Sequence, residues 1–430
     1  MSERSASLPG VSGRRFHYAY VIVAVGILTI TGAQGFLRFG YAMILPSMGQ
    51  ALGLSHAQTG MLATMSYLGY TLGAALIGLL VVRFGSRRSI GVGTTVAGLG
   101  MVLTGTVATY EAALALQAVV GLAAIVASSP TMSLSSAWFT PRRRGRAAGI
   151  LSAGGPLGSL ITGPLLPLLI GAFGPLMGWR YGWYLLGGAV VVAGLLDLVF
   201  LRDHPADVGL APFGARPDEE IPPASGPVKL RLAYRSPIVW YLAWLGLLST
   251  LGAISFNTFF TAYLVEERAL TTATAGQLWA LLGVTGIVGG FIWGGISDRI
   301  GRKRTLVAVY AVQAVTFALF AAGGGLPIFA LCALLYGITM RANYTIMAAY
   351  CGDLLGPRLG AAAFGINGTL AGIGLALGPA VAGYIADATA SFTLAFWLSS
   401  GVALLGALGS LPLPGGKKES EPPPNADEHP

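Results

Sequence analysis

Two arginines stand inside long apolar segments, where a permanent charge is unfavourable without a purpose. Arg38 lies in the first apolar segment of the chain and Arg341 in the tenth. An arginine at the centre of a bilayer costs at least about 2.5 kcal/mol on insertion scales, so it normally faces a water-filled cavity or a partner. Its guanidinium is a planar fork of donors that suits a carboxylate, sulfonate or phosphate. The two residues therefore predict an anion-binding site within the membrane.

Each arginine has an alternative explanation, which is an internal ion pair or a side chain that reaches the membrane surface. Counted at 1.5 Å per residue from Tyr18, Arg38 falls in the outer leaflet, where that reach is short. Arg341 falls near the middle of its segment, and no Asp or Glu stands mid-segment to pair with either arginine. We therefore expect Arg341 to be the main anion ligand and Arg38 to be an attracting or gating charge.

Several polar residues in the same segments could complete the site by donating hydrogen bonds to the anion. The substrate-binding residues predicted beside Arg38 and Arg341 are Gln34, Tyr41, Ser129, Asn257, Asn343 and Tyr344. Taken singly, each is equally explained by contacts between helices, since Ser, Thr and Asn serve that purpose in membranes. Tyr67, Tyr70 and Trp279 are interpreted as gating or packing aromatics. The grouping of polar residues, not any one of them, favours a site.

No constellation of catalytic residues stands in the sequence. The four histidines, His17, His56, His204 and His429, all lie outside the middle of the segments, and no metal-ligand or nucleophile pattern appears. A GxxxxGK[ST] phosphate loop is also missing, so this chain alone is not expected to drive transport with ATP. We expect no enzyme activity, no cofactor and no metal.

Twelve apolar segments position these residues, and each is long enough to cross a bilayer core of ~30 Å. Hydrophobic residues make up 54% of the chain, charged residues 10%, and Gly accounts for 63 of 430 residues, as in helices that pack closely in lipid. The net charge of +9 is spread between the segments, so nucleic acid is not an expected partner. The expected fold class is an all-α polytopic membrane protein with 12 transmembrane helices. The predicted segments cover residues 18–48, 58–82, 89–109, 112–136, 147–173, 182–201, 237–264, 274–296, 306–322, 327–353, 359–386 and 392–413.

The segments divide into two similar halves. Gly60 and Gly276 are 276 − 60 = 216 residues apart, and the same offset relates Gly78 to Gly294, Gly85 to Gly301 and Pro141 to Pro357. Such halves form two pseudo-symmetric six-helix bundles with a substrate path between them. The predicted domains are a tail (1–17), an N-terminal six-helix domain (18–203), a linker (204–236), a C-terminal six-helix domain (237–413) and a disordered tail (414–430).

Arginine and lysine gather in the loops on one side of the segments. The other side receives only Arg180 and Arg268. By the positive-inside rule, both termini and the linker are predicted to be cytoplasmic. We expect a multi-pass protein of a bacterial inner membrane, monomeric and surrounded by the lipid bilayer.

The loop after the eighth segment has the spacing G-x-x-x-D-R-x-G-R-K. Its defining residues are Gly294, Asp298, Arg299, Gly301 and Arg302. The loop closely resembles the signature loop of the major facilitator superfamily, in which it is expected to act as a conformational latch. The first-half copy has Val82 in place of the Asp, which leaves one of the two expected latches in doubt. The alternative for both copies is positive-inside charge without a latch.

Two shorter strings narrow the resemblance. Residues 16–26 and 138–149 are similar to the bacterial oxalate/formate-antiporter and monocarboxylate-porter branch, and the wider resemblance spans residues 16–413. It implies alternating access between two six-helix domains, a cavity lined by the first, fourth, seventh and tenth helices, and a small organic anion as cargo. Arg38 and Arg341 both fall on such lining helices.

The predicted function is secondary active transport of a mono- or dicarboxylate, as anion exchange or proton-linked symport, with protons or a counter-anion as further partners. The alternative is an efflux pump for small hydrophobic or drug-like compounds. A cationic drug would require a cavity carboxylate, which the segments lack. The nearest candidates, Asp197 and Asp353, stand close to segment ends. Asp197 is interpreted as meeting interfacial water or a loop arginine, and Asp353 as a structural residue that closes the tenth helix at the cytoplasmic face. No protein side chain is therefore expected to carry a coupling proton.

Overall fold

The computed structural model describes residues 17–215 and 234–414. Residues 1–16, 216–233 and 415–430 lie outside the described residues, as do the predictions made for the two tails and for most of the linker. Twelve long helices form the described chain: α1 (Ala19–Leu52), α2 (His56–Phe84), α3 (Ser86–Thr104), α4 (Tyr110–Trp138), α5 (Arg142–Phe173), α6 (Pro175–Phe200), α7 (Pro237–Glu267), α8 (Thr272–Ile300), α9 (Arg302–Ala322), α10 (Leu326–Leu355), α11 (Ala362–Thr389) and α12 (Thr393–Ser410). The predicted all-α membrane fold is confirmed.

Eleven of these helices are long and apolar enough to cross a membrane, and α3 is the exception. Its 19 residues begin with Ser86 and two arginines and are rich in Gly and Thr. Glycine still allows it to pack closely: a Cβ at Gly98 would lie 2.5 Å from the Val191 backbone nitrogen of α6. The twelfth span is therefore recognisable by its packing rather than by its hydropathy.

The two halves repeat each other in their packing contacts. A Cβ added at Gly121 of α4 would collide with the Ser66 carbonyl of α2, and one at Gly337 of α10 would lie 2.6 Å from the Leu282 carbonyl of α8. Each residue of the second pair follows its counterpart by the offset of 216 (337 − 121, 282 − 66). Glycine lets these helix pairs meet backbone to backbone. The two six-helix bundles are thus pseudo-symmetric.

Only residues 356–361 separate the end of α10 from the start of α11. A straight helix would separate Gly352 from Gly360 by about 12 Å. A Cβ at Gly360 would instead lie 2.6 Å from the Gly352 Cα. The chain therefore bends back on itself between Gly352 and Gly360, and the predicted tenth and eleventh segments are two separate helices.

The face of the molecule that carries the basic loops is called the basic face, and the other is called the opposite face. The two halves meet at the opposite face and separate at the basic face. At the opposite face, where α2 and α8 begin, Gly60 of α2 lies against the Pro379 carbonyl of α11, and Gly276 of α8 against the Gly163 carbonyl of α5. At the basic face, where α2 and α8 end beside Arg83 and Arg299, Val82 is 90% exposed. Within the part of the chain that the structure describes, a Cβ would have nothing within 4 Å at several glycines near that face, namely Gly78, Gly290, Gly294, Gly365 and Gly368. The described conformation is closed at the opposite face and open at the basic face.

Candidate functional site

Both arginines lie where their helix departs from α geometry. Arg38 belongs to a π-helical stretch of α1, Thr31–Gly40. Helix α10 is interrupted between Thr339 and Ala342, and Arg341 stands in that turn. Such irregular turns redirect side chains and are frequent at functional sites.

Arg38 is held by aromatic rings. Its guanidinium carbon lies 5.2 Å from the ring centroid of Tyr67 and 4.9 Å from that of Tyr70. The two tyrosines are three residues apart on α2, so they share one face of that helix. Within residues 17–215 and 234–414, Arg38 has no carboxylate partner. Cation–π contacts orient the guanidinium without neutralising its charge.

Arg341 points toward the same space from the other half. The groups within electrostatic range of its guanidinium are Arg38, Tyr344 and Tyr70. Its Nη1 lies 3.0 Å from the position of a Cβ on Gly155 of α5, so glycine leaves room for the guanidinium there. No described carboxylate forms an ion pair with Arg341. Two uncompensated positive charges, one from each half, therefore share the space between the bundles, which favours an anion.

Tyr344 and Asn257 extend this site on the side of the second half. Tyr344 is 62% exposed, and its ring packs edge-on against Phe364 at 4.8 Å. Asn257 of α7 donates from Nδ2 to the hydroxyl of Tyr336 at 2.6 Å, and Tyr336 is within electrostatic range of Tyr67. The buried Oδ1 of Asn257 has no partner among the described residues. It is an acceptor available to a donor on a bound molecule.

Two predicted site residues instead connect helices. The Tyr41 hydroxyl donates to the Thr59 carbonyl at 2.5 Å and so ties α1 to α2. Asn343 is buried and donates from Nδ2 to Ser249 Oγ at 2.9 Å and to Gln313 Oε1 at 3.0 Å, which ties α10 to α7 and α9. No hydrogen bond among the described residues joins either side chain to Arg38 or Arg341, and both stay predictions as substrate ligands.

Gln34 and Ser129 make fewer contacts. Gln34 is half-buried one turn before Arg38, and its side chain has no hydrogen bond to the part of the chain that the structure describes. Ser129 is exposed on α4. Both stay predictions as substrate ligands.

Three tyrosines of the site were not among the predicted ligands. Tyr67 and Tyr70 were interpreted as gating or packing residues, and Tyr336 was not singled out. The available signal was the i, i+3 spacing of Tyr67 and Tyr70 in the middle of an apolar segment. Periodicity alone does not tell which face of α2 meets an arginine of α1, so tertiary contact was needed to identify them.

The signature loop forms a network inside the second half. Arg302 donates from Nε to Asp353 Oδ2 at 2.8 Å, and from Nη1 to Asp298 Oδ1 at 2.7 Å and Ser297 Oγ at 2.8 Å. These bonds join the ends of α8, α9 and α10. Arg299 is exposed, Gly294 has open space around it, and Gly301 makes the turn between α8 and α9 with φ of +90°. Among residues 17–215 and 234–414, no hydrogen bond or ion pair joins the predicted latch residues to the first half.

Asp197 is not exposed at the membrane surface but is buried inside the protein. It is fully buried, Thr29 of α1 donates to its Oδ1 at 2.6 Å, and Thr94 of α3 is a second hydrogen-bonding side chain beside the carboxylate. The prediction that it meets interfacial water or a loop arginine is wrong, because α1 covers this end of α6. Residue counting along one helix does not detect such coverage.

A cavity of about 430 Å³ lies at the opposite face, away from the arginines. Its lining includes Ser47, Gln50, His56, Thr59, Glu266 and Thr272. Neither Arg38 nor Arg341 lines this cavity, so it is separate from the candidate anion site.

Comparisons with other proteins agree with this architecture. A profile of the Major Facilitator Superfamily matches residues 27–326 and 280–429. The hexuronate transporter of Bacillus subtilis (strain 168) is 24% identical over 404 residues, covering 89% of this chain and 92% of that protein. The probable sulfoacetate transporter SauU of Cupriavidus necator is 25% identical over 393 residues, covering 87% and 89%. The putative tartrate transporter of Agrobacterium vitis is 25% identical over 393 residues, covering 87% and 85%.

Two solved structures share the fold. The nucleoside transporter NupG superposes with a TM-score of 0.71 at 14% identity, covering 92% of this chain and 98% of that one. A bacterial homologue of the human lysosomal transporter Spinster, in an inward-facing and unoccupied conformation, gives a TM-score of 0.67 at 16% identity, covering 93% and 95%. The fold has twelve helices in two pseudo-symmetric bundles, and the family profile matches most of the sequence. Both observations give the same family. The chain belongs to the Major Facilitator Superfamily, and it is a membrane transporter rather than an enzyme.

Proposed function

We propose that this protein transports a small organic anion by alternating access, and that the anion binds between Arg38 and Arg341. The observation that carries the proposal is the pair of guanidiniums that come from different halves, lie within electrostatic range of each other and have no described carboxylate partner. A bound anion removes the repulsion between them. It therefore stabilises an arrangement in which the halves approach each other around the ligand.

The two arginines have different roles in this proposal. Arg341 stands at a helix break with its fork free, so it binds a carboxylate in a bidentate manner. Arg38 is oriented by Tyr67 and Tyr70 and contributes charge from the facing wall. Tyr344, the Asn257–Tyr336 pair and Gln34 supply further polar groups to a mono- or dicarboxylate.

The names of the relatives support an anionic substrate. Hexuronate, sulfoacetate and tartrate all carry at least one carboxylate. We extend that common chemistry to this chain, with anion exchange or symport of a proton with the anion as the mode of transport. Residues 18–203 and 237–413 are the two domains that rock in this scheme.

We further propose that the basic face is cytoplasmic and that the protein resides in a bacterial inner membrane. Positive charge in short loops supports this orientation. Cysteines introduced at Ser225 of the linker and Ser420 of the C-terminal tail should not react with an impermeant maleimide added to intact cells, whereas lysed cells should label. Reaction at either position in intact cells would reverse the orientation.

Thermal unfolding of the purified protein tests the substrate class. A ligand that binds only the folded state at 100 times its Kd stabilises it by about 2.7 kcal/mol. We expect at least one carboxylate from a panel of carboxylates, sulfonates and phosphates to raise the Tm, and organic cations to leave it unchanged. Loss of that rise in Arg341→Ala assigns the effect to the site. A Tm raised only by cations or neutral compounds would refute the proposal.

A further inference from the structure

The first turn of α2 is capped by a carboxylate from the other half of the protein. Asp387, near the end of α11, accepts from the backbone N–H of His56 at 2.9 Å through Oδ1 and from that of Ala57 at 2.9 Å through Oδ2. The first N–H groups of a helix have no partner within the helix and carry partial positive charge. One side chain of the second half thus satisfies two donors of the first half at the opposite face.

Other second-half groups surround the same turn. Glu266 of α7 lies with Oε2 3.8 Å from His56 Nε2, and the Phe392 ring packs edge-on against the imidazole at 4.6 Å. Gly383 of α11 lies against the His56 carbonyl with no room for a Cβ. The start of α2 is therefore enclosed by α7, α11 and the residue that precedes α12.

The cap is not needed for α2 to begin at this point. Ser55 already caps the helix, since its hydroxyl accepts from the Gln58 N–H at 3.3 Å and its own N–H donates to Gln58 Oε1 at 2.9 Å. That reciprocal capping box lies wholly within the first half. The Ser55 hydroxyl is also within hydrogen-bonding reach of the Asp387 carboxylate. The two backbone bonds to Asp387 are additional to the capping box, and their distinctive effect is to connect the halves.

The pseudo-symmetric contact lacks this carboxylate. Subtracting the offset of 216 from Asp387 gives Gly171 at the end of α5, and adding it to His56 gives Thr272 at the start of α8. A Cβ built on Gly171 would have nothing within 4 Å. The contact between α5 and α8 is formed by glycine packing, whereas the contact between α2 and α11 has both glycine packing and a polar cap. Rocking of the halves must break both contacts together.

We propose that Asp387 is the latch that holds the opposite face closed, through its two hydrogen bonds to the start of α2. Opening of that face separates the carboxylate from both donors. Removing the carboxylate therefore shifts the resting population toward the state open at the opposite face. The inference depends on alternating access but not on the identity of the substrate.

Distances between spin labels, measured without substrate, report the population directly. Cys332 and Cys351, both buried, are replaced by alanine. One label pair, Ala108→Cys with Leu326→Cys, spans the two halves at the opposite face, and a second pair, Val82→Cys with Ile300→Cys, spans them at the basic face. All four positions are exposed in the described conformation.

In Asp387→Asn we expect the first distance to lengthen and the second to shorten, with at least about a fivefold rise in the ratio of the two states, the size of a lost helix cap. Asp387→Glu should keep a nearly wild-type distribution. The matched control is Glu267→Gln, because Glu267 accepts from the Phe392 N–H and from Ser391 Oγ at 3.0 Å within the second half. Its distribution should not change.

A second pair of variants removes a donor and leaves Asp387 in place. His56→Pro deletes one N–H that Asp387 accepts, and proline is tolerated at the first position of a helix. His56→Ala removes the imidazole and keeps that N–H. We expect the shift in His56→Pro to exceed the shift in His56→Ala. Unchanged distances in Asp387→Asn, an equal shift in Glu267→Gln, or equal shifts in the two His56 variants would overturn the proposal.

Discussion

The loops between α2 and α3 and between α8 and α9 occupy equivalent places in the two halves but are closed by different chemistry. In the second half, Arg302 connects Asp298 and Asp353. The positions that precede these three residues by 216 are Ser86, Val82 and Ala137, so the whole triad is missing from the first half.

The first half closes the same corner with other residues. Asp203, just after α6, accepts from the Arg87 N–H at 2.6 Å, and the Arg87 side chain donates from Nε to the Leu198 carbonyl at 2.8 Å. Both loops keep a glycine with positive φ, +81° at Gly85 and +90° at Gly301. The repeat therefore preserves the turn that only glycine readily adopts, while the charges that stabilise it have diverged.

The two arginines of the proposed anion site extend this contrast between the halves. Arg38 and Arg341 are not equivalent by the repeat, since the matching positions are Ile254 and Ile125. Backbone contacts follow the pseudo-symmetry, and the charged site departs from it.

The largest expected effect comes from breaking the contrast at Arg341. Arg341→Ala should weaken the binding of an identified carboxylate by at least about tenfold, since hydrogen bonds to charged groups contribute about 1.5–3 kcal/mol. Arg341→Lys should bind less well than wild type, because a point charge replaces the bidentate fork. Arg38→Ala should lose less than Arg341→Ala. Calorimetric titration measures the affinity of the three variants, and uptake into proteoliposomes measures their transport. Wild-type affinity in a folded Arg341→Ala protein would contradict the assignment.

An intermediate effect is expected at the two loops. Asp298→Asn should change the equilibrium affinity for the substrate only slightly, since Asp298 is 68% exposed and an exposed ion pair contributes only about 0.2–1 kcal/mol. The rate of exchange should fall by more than the affinity. Asp203→Asn tests the corresponding carboxylate of the first half. Measuring the exchange rate and the Kd of both variants shows whether each carboxylate affects conformational exchange or substrate affinity. A large loss of affinity with normal exchange in Asp298→Asn would exclude the latch role.

Val82→Asp alone should not recreate the second-half network, because its partner position holds Ser86 in place of an arginine. This expectation follows from the contact of Arg302 with Asp298 and Asp353. The G-x-x-x-D-R-x-G-R-K spacing by itself does not show it.

The smallest effect is expected at Asp197, the buried carboxylate of the first half. Asn at this position retains an acceptor for the Thr29 hydroxyl, so Asp197→Asn should fold and should leave uptake driven by a pH gradient largely intact. Asp353→Asn is the exposed counterpart. Gradient-driven uptake and exchange are measured in the same proteoliposomes. Abolished gradient-driven uptake with preserved exchange in Asp197→Asn would make this carboxylate the coupling group.

Much of the fold could be predicted because it depends on properties that are local in sequence. Segment length and hydropathy predict the spans, and the recurrence of Gly60 at Gly276 indicates the repeat. The site itself stays a proposal, and the sequence indicates only part of it. Arg38 and Arg341 were found because an arginine within an apolar segment is costly, whereas Tyr67 and Tyr70 carry no such cost and resemble packing residues.

The sequence by itself determined the number of helices and the presence of positive charge within apolar segments, because both follow from burial costs along a single helix. It also determined the repeat, because the same residue types recur at an offset of 216. Only the tertiary structure decided that Asn343 and Tyr41 connect helices, that Asp197 is enclosed, and that Asp387 reaches the start of α2. These outcomes depend on which faces of distant helices meet. That is decided by close packing over the whole molecule, where a glycine at one position lets a backbone approach and a polar side chain finds its partner.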